Sequence, residues 1–233
     1  MKKVVVLTGA GISAESGIQT FRDANGLWAN YAIEEVATPE AWKKNPIVVQ
    51  SFYNERRKQI AAASPNQAHI YFAALEQHYD VQIITQNIDD LHERAGSTKI
   101  LHLHGNIRFA KSSGPQPDKR FYPIVGDEIQ PDAVCDDGYP LRPHVVWFGE
   151  EVPELERAAR FCQQADILLV VGTSLQVYPA ASLAFLAPEA ALKVVLDPDC
   201  ERLEIGDEFV KLPYTAVEGV QVLDRLLAQL ARD

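Results

Sequence analysis

A chain of 233 residues is long enough for one large domain, or one domain with a smaller insertion, and for a sizeable buried core. At 47% hydrophobic and 23% charged, with a formal net charge of -10, the composition is ordinary for a globular protein and makes a nucleic-acid backbone an unfavourable partner; an acidic surface suits a basic, lysine-bearing substrate. No apolar run reaches the roughly 20 residues that span a bilayer, the N-terminal apolar stretch is too short for a signal peptide, and the three cysteines, Cys135, Cys162 and Cys200, form no C-x-x-C pair, so a cytoplasmic protein with no membrane partner is expected, with a monomer as the default.

Val4 to Leu7 is an apolar, largely β-branched run, as expected of a strand buried on both faces. Gly9 and Gly11 follow at once; without Cβ atoms they let the backbone turn tightly and approach a pyrophosphate. Ser13 to Ser16 reads as the first turn of a helix whose free N–H groups face an anion. Gly9, Gly11 and Ala14 fit the G-x-G-x-x-G/A dinucleotide pattern, which also occurs in glycine-rich turns that bind nothing. An ordinary hydride-transfer enzyme needs a second strand ending in an acidic residue about 20 positions on. Here Phe21-Arg22-Asp23 and Trp28 stand instead.

Helices are expected over 33–36, from Pro39 behind a Thr38 cap, over 47–63 after Asn45-Pro46, and over 67–78 after the break at Ser64-Pro65-Asn66. Strands follow at 81–85 and 100–104, an irregular piece at 106–140, an extended run at 142–150, a helix at 153–164, a strand at 166–171, a helix at 179–186, a strand at 193–196 and a helix at 217–231. This alternation predicts an α/β fold, a Rossmann-like parallel sheet with helices on both faces. Residues 1–30, 79–105 and 141–233 form its large part, and 31–78 with 106–140 a smaller inserted module.

In such sheets ligands bind beyond the carboxyl ends of the strands. Four strand ends carry glycine or polar motifs: Gly9 to Ser13, Gln86 to Asp89, His104-Gly105 and Gly172 to Ser174. His104, at a strand end before a glycine, is the candidate general base, since histidine titrates near neutrality. His69, His78, His92, His102 and His144 are read as structural. Read alone, Gln86-Asn87-Ile88-Asp89 is also compatible with an Asx cap on the following helix.

Gly9-Ala10-Gly11-Ile12-Ser13, Ser16-Gly17-Ile18 and Phe21-Arg22 closely resemble the opening motif of the sirtuins, the NAD-dependent protein deacylases, with Gln19 where that family usually has proline. Gln86-Asn87-Ile88-Asp89 resembles the family's nicotinamide-pocket motif. Leu101-His102-Leu103-His104-Gly105 resembles its catalytic-histidine motif, and Gly172-Thr173-Ser174 its adenosine-side loop. The motifs occur in the family's order and span nearly the whole chain.

The resemblance implies an NAD-dependent lysine deacylase that yields nicotinamide and O-acyl-ADP-ribose, with acylated lysines of proteins as substrates. It implies His104 as base and Asn87 as the residue positioning a ribose or a water. The cofactor would meet Gly9, Ala10, Gly11, Ser13, Ala14, Glu15, Thr20, Phe21, Arg22 and Trp28 from the opening motif. It would meet Gln86, Asn87, Ile88, Asp89 and His104 in the middle, and Gly172, Thr173, Ser174, Asp197 and Ala216 on the adenosine side. Val145, Val146, Trp147 and Phe148 resemble the segment that binds substrate by strand addition. Tyr53 and Arg56, three apart on a helix, resemble the pair of sirtuins that remove succinyl and malonyl groups; arginine with a tyrosyl hydroxyl is a good carboxylate receptor. The family's structural zinc needs four soft ligands. Residues 106–142 contain one cysteine, Cys135, and no histidine, so no zinc is expected. Two other readings remain for the same pocket: an NAD glycohydrolase or ADP-ribosyltransferase, and a non-catalytic NAD sensor.

Overall fold

A computed structural model describes residues 1–19, 31–115 and 120–230. The strands are β1 (Lys3–Thr8), β2 (Asp80–Thr85), β3 (Ile100–His102), β4 (Gly105–Ser112), β5 (Tyr122–Pro123), β6 (Leu141–Val145), β7 (Ile167–Val171), β8 (Leu192–Leu196) and β9 (Phe209–Leu212). The α-helices are α1 (Gly11–Ala14), α2 (Ile33–Val36), α3 (Pro39–Lys44), α4 (Pro46–Ala62), α5 (Gln67–Leu75), α6 (Leu91–Ala95), α7 (Leu155–Cys162) and α8 (Ala216–Leu230). Short 3₁₀ turns cover Ala180–Phe185 and Cys200–Arg202.

β1 lies at the centre of a six-stranded parallel sheet in the order β3-β2-β1-β7-β8-β9. Val4 stands opposite Val81 on one side and Ile167 on the other. β7 and the Val4–Leu7 run of β1 are apolar throughout because both their faces are covered. Val4, Val6, Ile83, Leu169 and Val171 face α5 and α8 through Phe72, Leu75, Leu223 and Leu227. Val5, Leu7, Ile84, Leu168 and Val170 face α7 and the 3₁₀ turn at 180–185 through Ala158, Cys162, Leu183 and Ala184. The chain leaves β1 for β2 on one side and later returns on the other as β7, so a topological switch point lies at the carboxyl end of β1.

β5, β4 and β6 form a second, antiparallel sheet. It packs with α2, α3 and α4 around Val36, Val49, Phe52, Tyr53, Ile107, Val145 and Trp147. The buried Arg57 ties α4 to this sheet, its Nε donating to Ile107 O at 2.8 Å. Thr38 and Asn45 cap α3 and α4, accepting from Ala41 N–H and Val48 N–H.

Several sequence expectations differ from this fold. The third strand ends at His102, two residues early, because Gly105 at φ +86° begins a new antiparallel strand. The piece expected to be irregular contains β4 and β5, whose residues Gly105–Ser112 carry little apolar alternation. The extended run at 142–150 leaves the sheet at Val145 and turns, with Glu150 N–H donating to Trp147 O at 3.0 Å. The helix at 179–186 is 3₁₀, and the edge strand β9 had no signal strong enough to stand out. α5 ends at Leu75 and lies on the large sheet rather than beside the small one.

Candidate active site

At the switch point the loops after β1 and β7 interlock. Gly9 N–H donates to Val171 O at 3.1 Å, and Gly11 N–H to Gly172 O at 2.8 Å. A Cβ on Gly11 would stand 2.7 Å from Gly172 Cα, and one on Gly9 2.7 Å from Thr173 Cβ. The two glycines are thus required first by the approach of another loop. The expected anion-facing N–H groups are largely spent: Ile12 N–H donates to Gly9 O and Ser13 N–H to Ala10 O. The reason is that α1 is one tight turn of four residues, whose first amides close onto the loop itself.

The loop after β2 lies beside this crossing. Gln86 Nε2 donates to Thr173 Oγ1 at 3.1 Å. Asn87 Nδ2 donates to Gly9 O at 3.1 Å and to Ser13 Oγ at 3.2 Å, and Ser13 Oγ donates to Asp89 Oδ2 at 3.0 Å. Asp89 is buried and also accepts from Leu91 N–H at 3.2 Å. Burial pushes its carboxyl above the ordinary range, while the Leu91 and Ser13 hydrogen bonds and the nearby His102 pull it back. Asp89 makes an Asx turn to Leu91 N–H at the start of α6, whose N-cap residue Asp90 makes no side-chain cap bond, and the Ser13 bond is additional to that turn.

His104 follows β3, partly buried, with Nδ1 3.0 Å from Gln86 O. A carbonyl only accepts, so Nδ1 carries the proton and Nε2 keeps its lone pair. Burial holds the imidazole below its ordinary value, with the Gln86 contact opposing. Nε2 has no hydrogen-bond partner among the described residues, and a neutral imidazole oriented in this way is what a general base requires.

Tyr53 and Arg56 share a face of α4 and are both buried. Tyr53 Oη accepts from Trp147 Nε1 at 3.1 Å. Arg56 Nη2 donates to Gln19 O at 2.9 Å, and its Nη1, shut away from solvent, has no partner among the described residues. Burial lowers the guanidinium's pKa, with the charge of Asp89 opposing.

In Val145 to Phe148 three amides are paired within the chain. Val146 N–H donates to His104 O at 2.9 Å, Trp147 N–H to Glu150 Oε2 at 2.8 Å and Phe148 N–H to Ala37 O at 3.0 Å. An added strand therefore finds no N–H donor at these three residues, because the chain turns here and satisfies its own amides. Trp147 is a core residue with Arg142 3.2 Å above its ring, while Phe148 is 42% exposed.

Other expected residues make contacts within the protein. Glu15 accepts from Thr215 Oγ1 at 3.1 Å and Val217 N–H at 2.9 Å, tying down the start of α8, where Ala216 is buried. Ile88 O accepts from Ile107 N–H at 2.8 Å. Asp197 accepts from Asp199 N–H at 2.9 Å after β8. Ala14 closes α1, and Ser174 follows Thr173 in the β7 loop. Thr20, Phe21, Arg22 and Trp28 lie outside the described residues. Glu93 and Arg142 were not singled out from the sequence; each acts through a partner outside its own element, His102 for Glu93 and Glu150 for Arg142, which a reading of motifs does not pair.

A model of the Sir2 family matches residues 9–179. The chain is similar to the NAD-dependent protein deacylase of Bacteroides thetaiotaomicron, 48% identical over 231 residues that cover 97% of this chain and 98% of that protein. The corresponding deacylase of Aggregatibacter actinomycetemcomitans is 55% identical over 195 residues, covering 84% and 92%. Among solved structures, a Sir2 homologue in complex with NAD matches with a TM-score of 0.86 at 40% identity, covering 99% of this chain and 90% of that one. A Sir2 homologue mutant in complex with ADP-ribose matches at 0.88 and 40%, covering 99% and 94%. The chain belongs to the Sir2 family.

Proposed function

We propose that this chain is an NAD-dependent protein-lysine deacylase that prefers succinyl and malonyl groups to acetyl. The observation that carries the activity is His104, oriented by Gln86 O and with no partner at Nε2 among the described residues, beside the Asn87–Ser13–Asp89 network. NAD fits this rim chemically. Asp89 offers an ionisable acceptor for a carboxamide, Asn87 is placed by Gly9 and Ser13 to orient a ribose or a water, and Gly172, Thr173 and Ser174 stand where the adenosine half would lie, with Asp197 and Ala216 beyond. NAD supplies an activated sugar carbon for acyl transfer. His104 Nε2 takes the proton from a hydroxyl, and the apolar cluster around Val145, Trp147 and Ile88 keeps water from the acyl-lysine. With three of its amides committed, the 145–148 stretch is assigned to substrate through its carbonyls and the exposed Phe148 side chain.

The acyl preference rests on Arg56 Nη1, a buried donor without a partner among the described residues, on the same helix face as Tyr53 Oη. Leaving such a donor unpaired costs about 1–3 kcal/mol or more, and an acyl carboxylate would satisfy it. Comparing desuccinylation and deacetylation of one peptide, with mass analysis of products, tests both levels. Tyr53→Phe and Arg56→Met are expected to reduce desuccinylation at least tenfold, about 1.4 kcal/mol, with less effect on deacetylation. Intact desuccinylation in both variants would sink the preference. Nicotinamide with unacylated ADP-ribose, or no turnover at all, would replace deacylation by the hydrolase or the sensor.

The module around β4 is read as zinc-free. Among the described residues no group of three or more His, Cys, Asp or Glu could hold a metal. Contacts that can hold the module instead support this: Phe121 stacks on His144 at 3.8 Å, Arg120 pairs with Asp136 at 2.6 Å, and Cys135 Sγ lies 3.4 Å from Ser112 Oγ. A monomeric state is part of the same reading, and so is a cytoplasmic location, which three free buried cysteines support. Among the described residues no helix is long and apolar enough to cross a membrane.

A further inference from the structure

We propose that His102, paired with Glu93, is a positioning residue: as a cation it fixes the Gln86–Asp89 loop and supplies a counter-charge to the buried Asp89. The proposal rests on the reading of that loop as part of the NAD site.

The geometry is two-sided. His102 Nδ1 lies 3.0 Å from Asn87 O, and Nε2 lies 2.6 Å from Glu93 Oε1. A carbonyl and a carboxylate both only accept, and a neutral imidazole has one N–H. Both contacts are made together only by the imidazolium. Asn106 Nδ2, 3.4 Å from Glu93 Oε1 and 3.2 Å from His102 Nε2, then donates to Glu93.

His104, two residues on, makes the matching contact to the preceding carbonyl, Gln86 O, and has no carboxylate on its other nitrogen among the described residues. Successive carbonyls of one loop are thus held by two histidines in different protonation states. The same loop carries Asn87 Nδ2, bonded to Gly9 O and Ser13 Oγ, so the cation acts on the reaction through Asn87 and Asp89 rather than by touching substrate.

The groups around His102 favour this state. Burial disfavours its charge, but Glu93 from α6, Asn87 O and Asp89 from the loop outweigh burial and raise its titration. His92 from α6 and His144 from β6 also face it, and both are held neutral, by burial first.

Glu93→Gln separates the charge from the hydrogen bond. The introduced amide can donate to Nε2 while Nδ1–H still holds Asn87 O, so the loop keeps its contact and loses the cation. We expect the alkaline limb of the kcat profile to move to lower pH in Glu93→Gln. In His102→Gln, kcat is expected to fall about tenfold or more with KM for the acyl-peptide unchanged. In the wild type, ring ¹⁵N spectra at pH 7.5 should show His102 protonated on both nitrogens and His104 on Nδ1 alone. Wild-type kcat and pH profile in both folded variants, losses matching only the unfolded fraction, or a neutral His102 in the spectrum would each overturn the proposal. A wild-type chain that consumed no NAD would instead overturn the proposed function, and the spectrum would then decide His102 by itself.

Discussion

His102 and His104 leave one strand end two residues apart, and their opposite charge states follow from one neighbour each. His104 has only a carbonyl partner among the described residues, so desolvation dominates and the ring stays neutral. A general base works unprotonated, and a value depressed below the ordinary 6.5 places its acid limb below pH 6.5. We expect deacylase kcat/KM to hold from pH 8 down to that point and to fall only beneath it. His104→Ala should lower kcat by about 10²–10⁴-fold without shifting the thermal midpoint. A pH–rate profile from 5 to 8, with circular dichroism of the variant, checks both.

Among elements, the crossing of the β1 and β7 loops leaves no room for a side chain. Gly172 has φ +60°, and a Cβ there would run into the backbone nitrogen of Ile12. Backbone strain and the clash act together, and the displaced loop carries Thr173, the acceptor for Gln86. Gly172→Ala is expected to cost well over 1 kcal/mol in a urea titration and to raise KM for NAD. Gly138→Ala is the control: φ is +80° there, but nothing lies within 4 Å of the added Cβ. Only the backbone cost, about 1 kcal/mol, and no change in KM are expected from it.

For the molecule as a whole, three neutral histidines set the acid side of stability. Burial lowers His69 and His144 to about 4 and His92 well below 6.5. Their folded values lie below the unfolded one, so the unfolded chain binds protons first as pH falls through 6.5. The stability present above pH 6.5 is therefore lost progressively toward pH 4, by about 3 kcal/mol from His69 alone. Thermal midpoints that stay flat from pH 7.5 to 5 would contradict this. The zinc-free reading makes a second prediction at this scale: EDTA should leave the midpoint and the deacylase rate unchanged, and elemental analysis should find well under one zinc per chain.

The parallel sheet was legible because strands buried on both faces leave unbroken apolar runs, as in Val4–Leu7 and Ile167–Val171. The rim motifs were legible because local chemistry fixes them: glycines where loops cross, a histidine and amides at strand ends. The small antiparallel sheet was not, since Gly105–Ser112 pairs mainly with Leu141–Val145, far along the chain, and carries little pattern of its own. The tie that Glu15 makes to Thr215, 200 residues along the chain, was not legible either, since no local pattern pairs the two. The state of His102 also waited on the fold, because sequence gives a histidine its ordinary titration and only tertiary packing decides which acceptors stand at its two nitrogens.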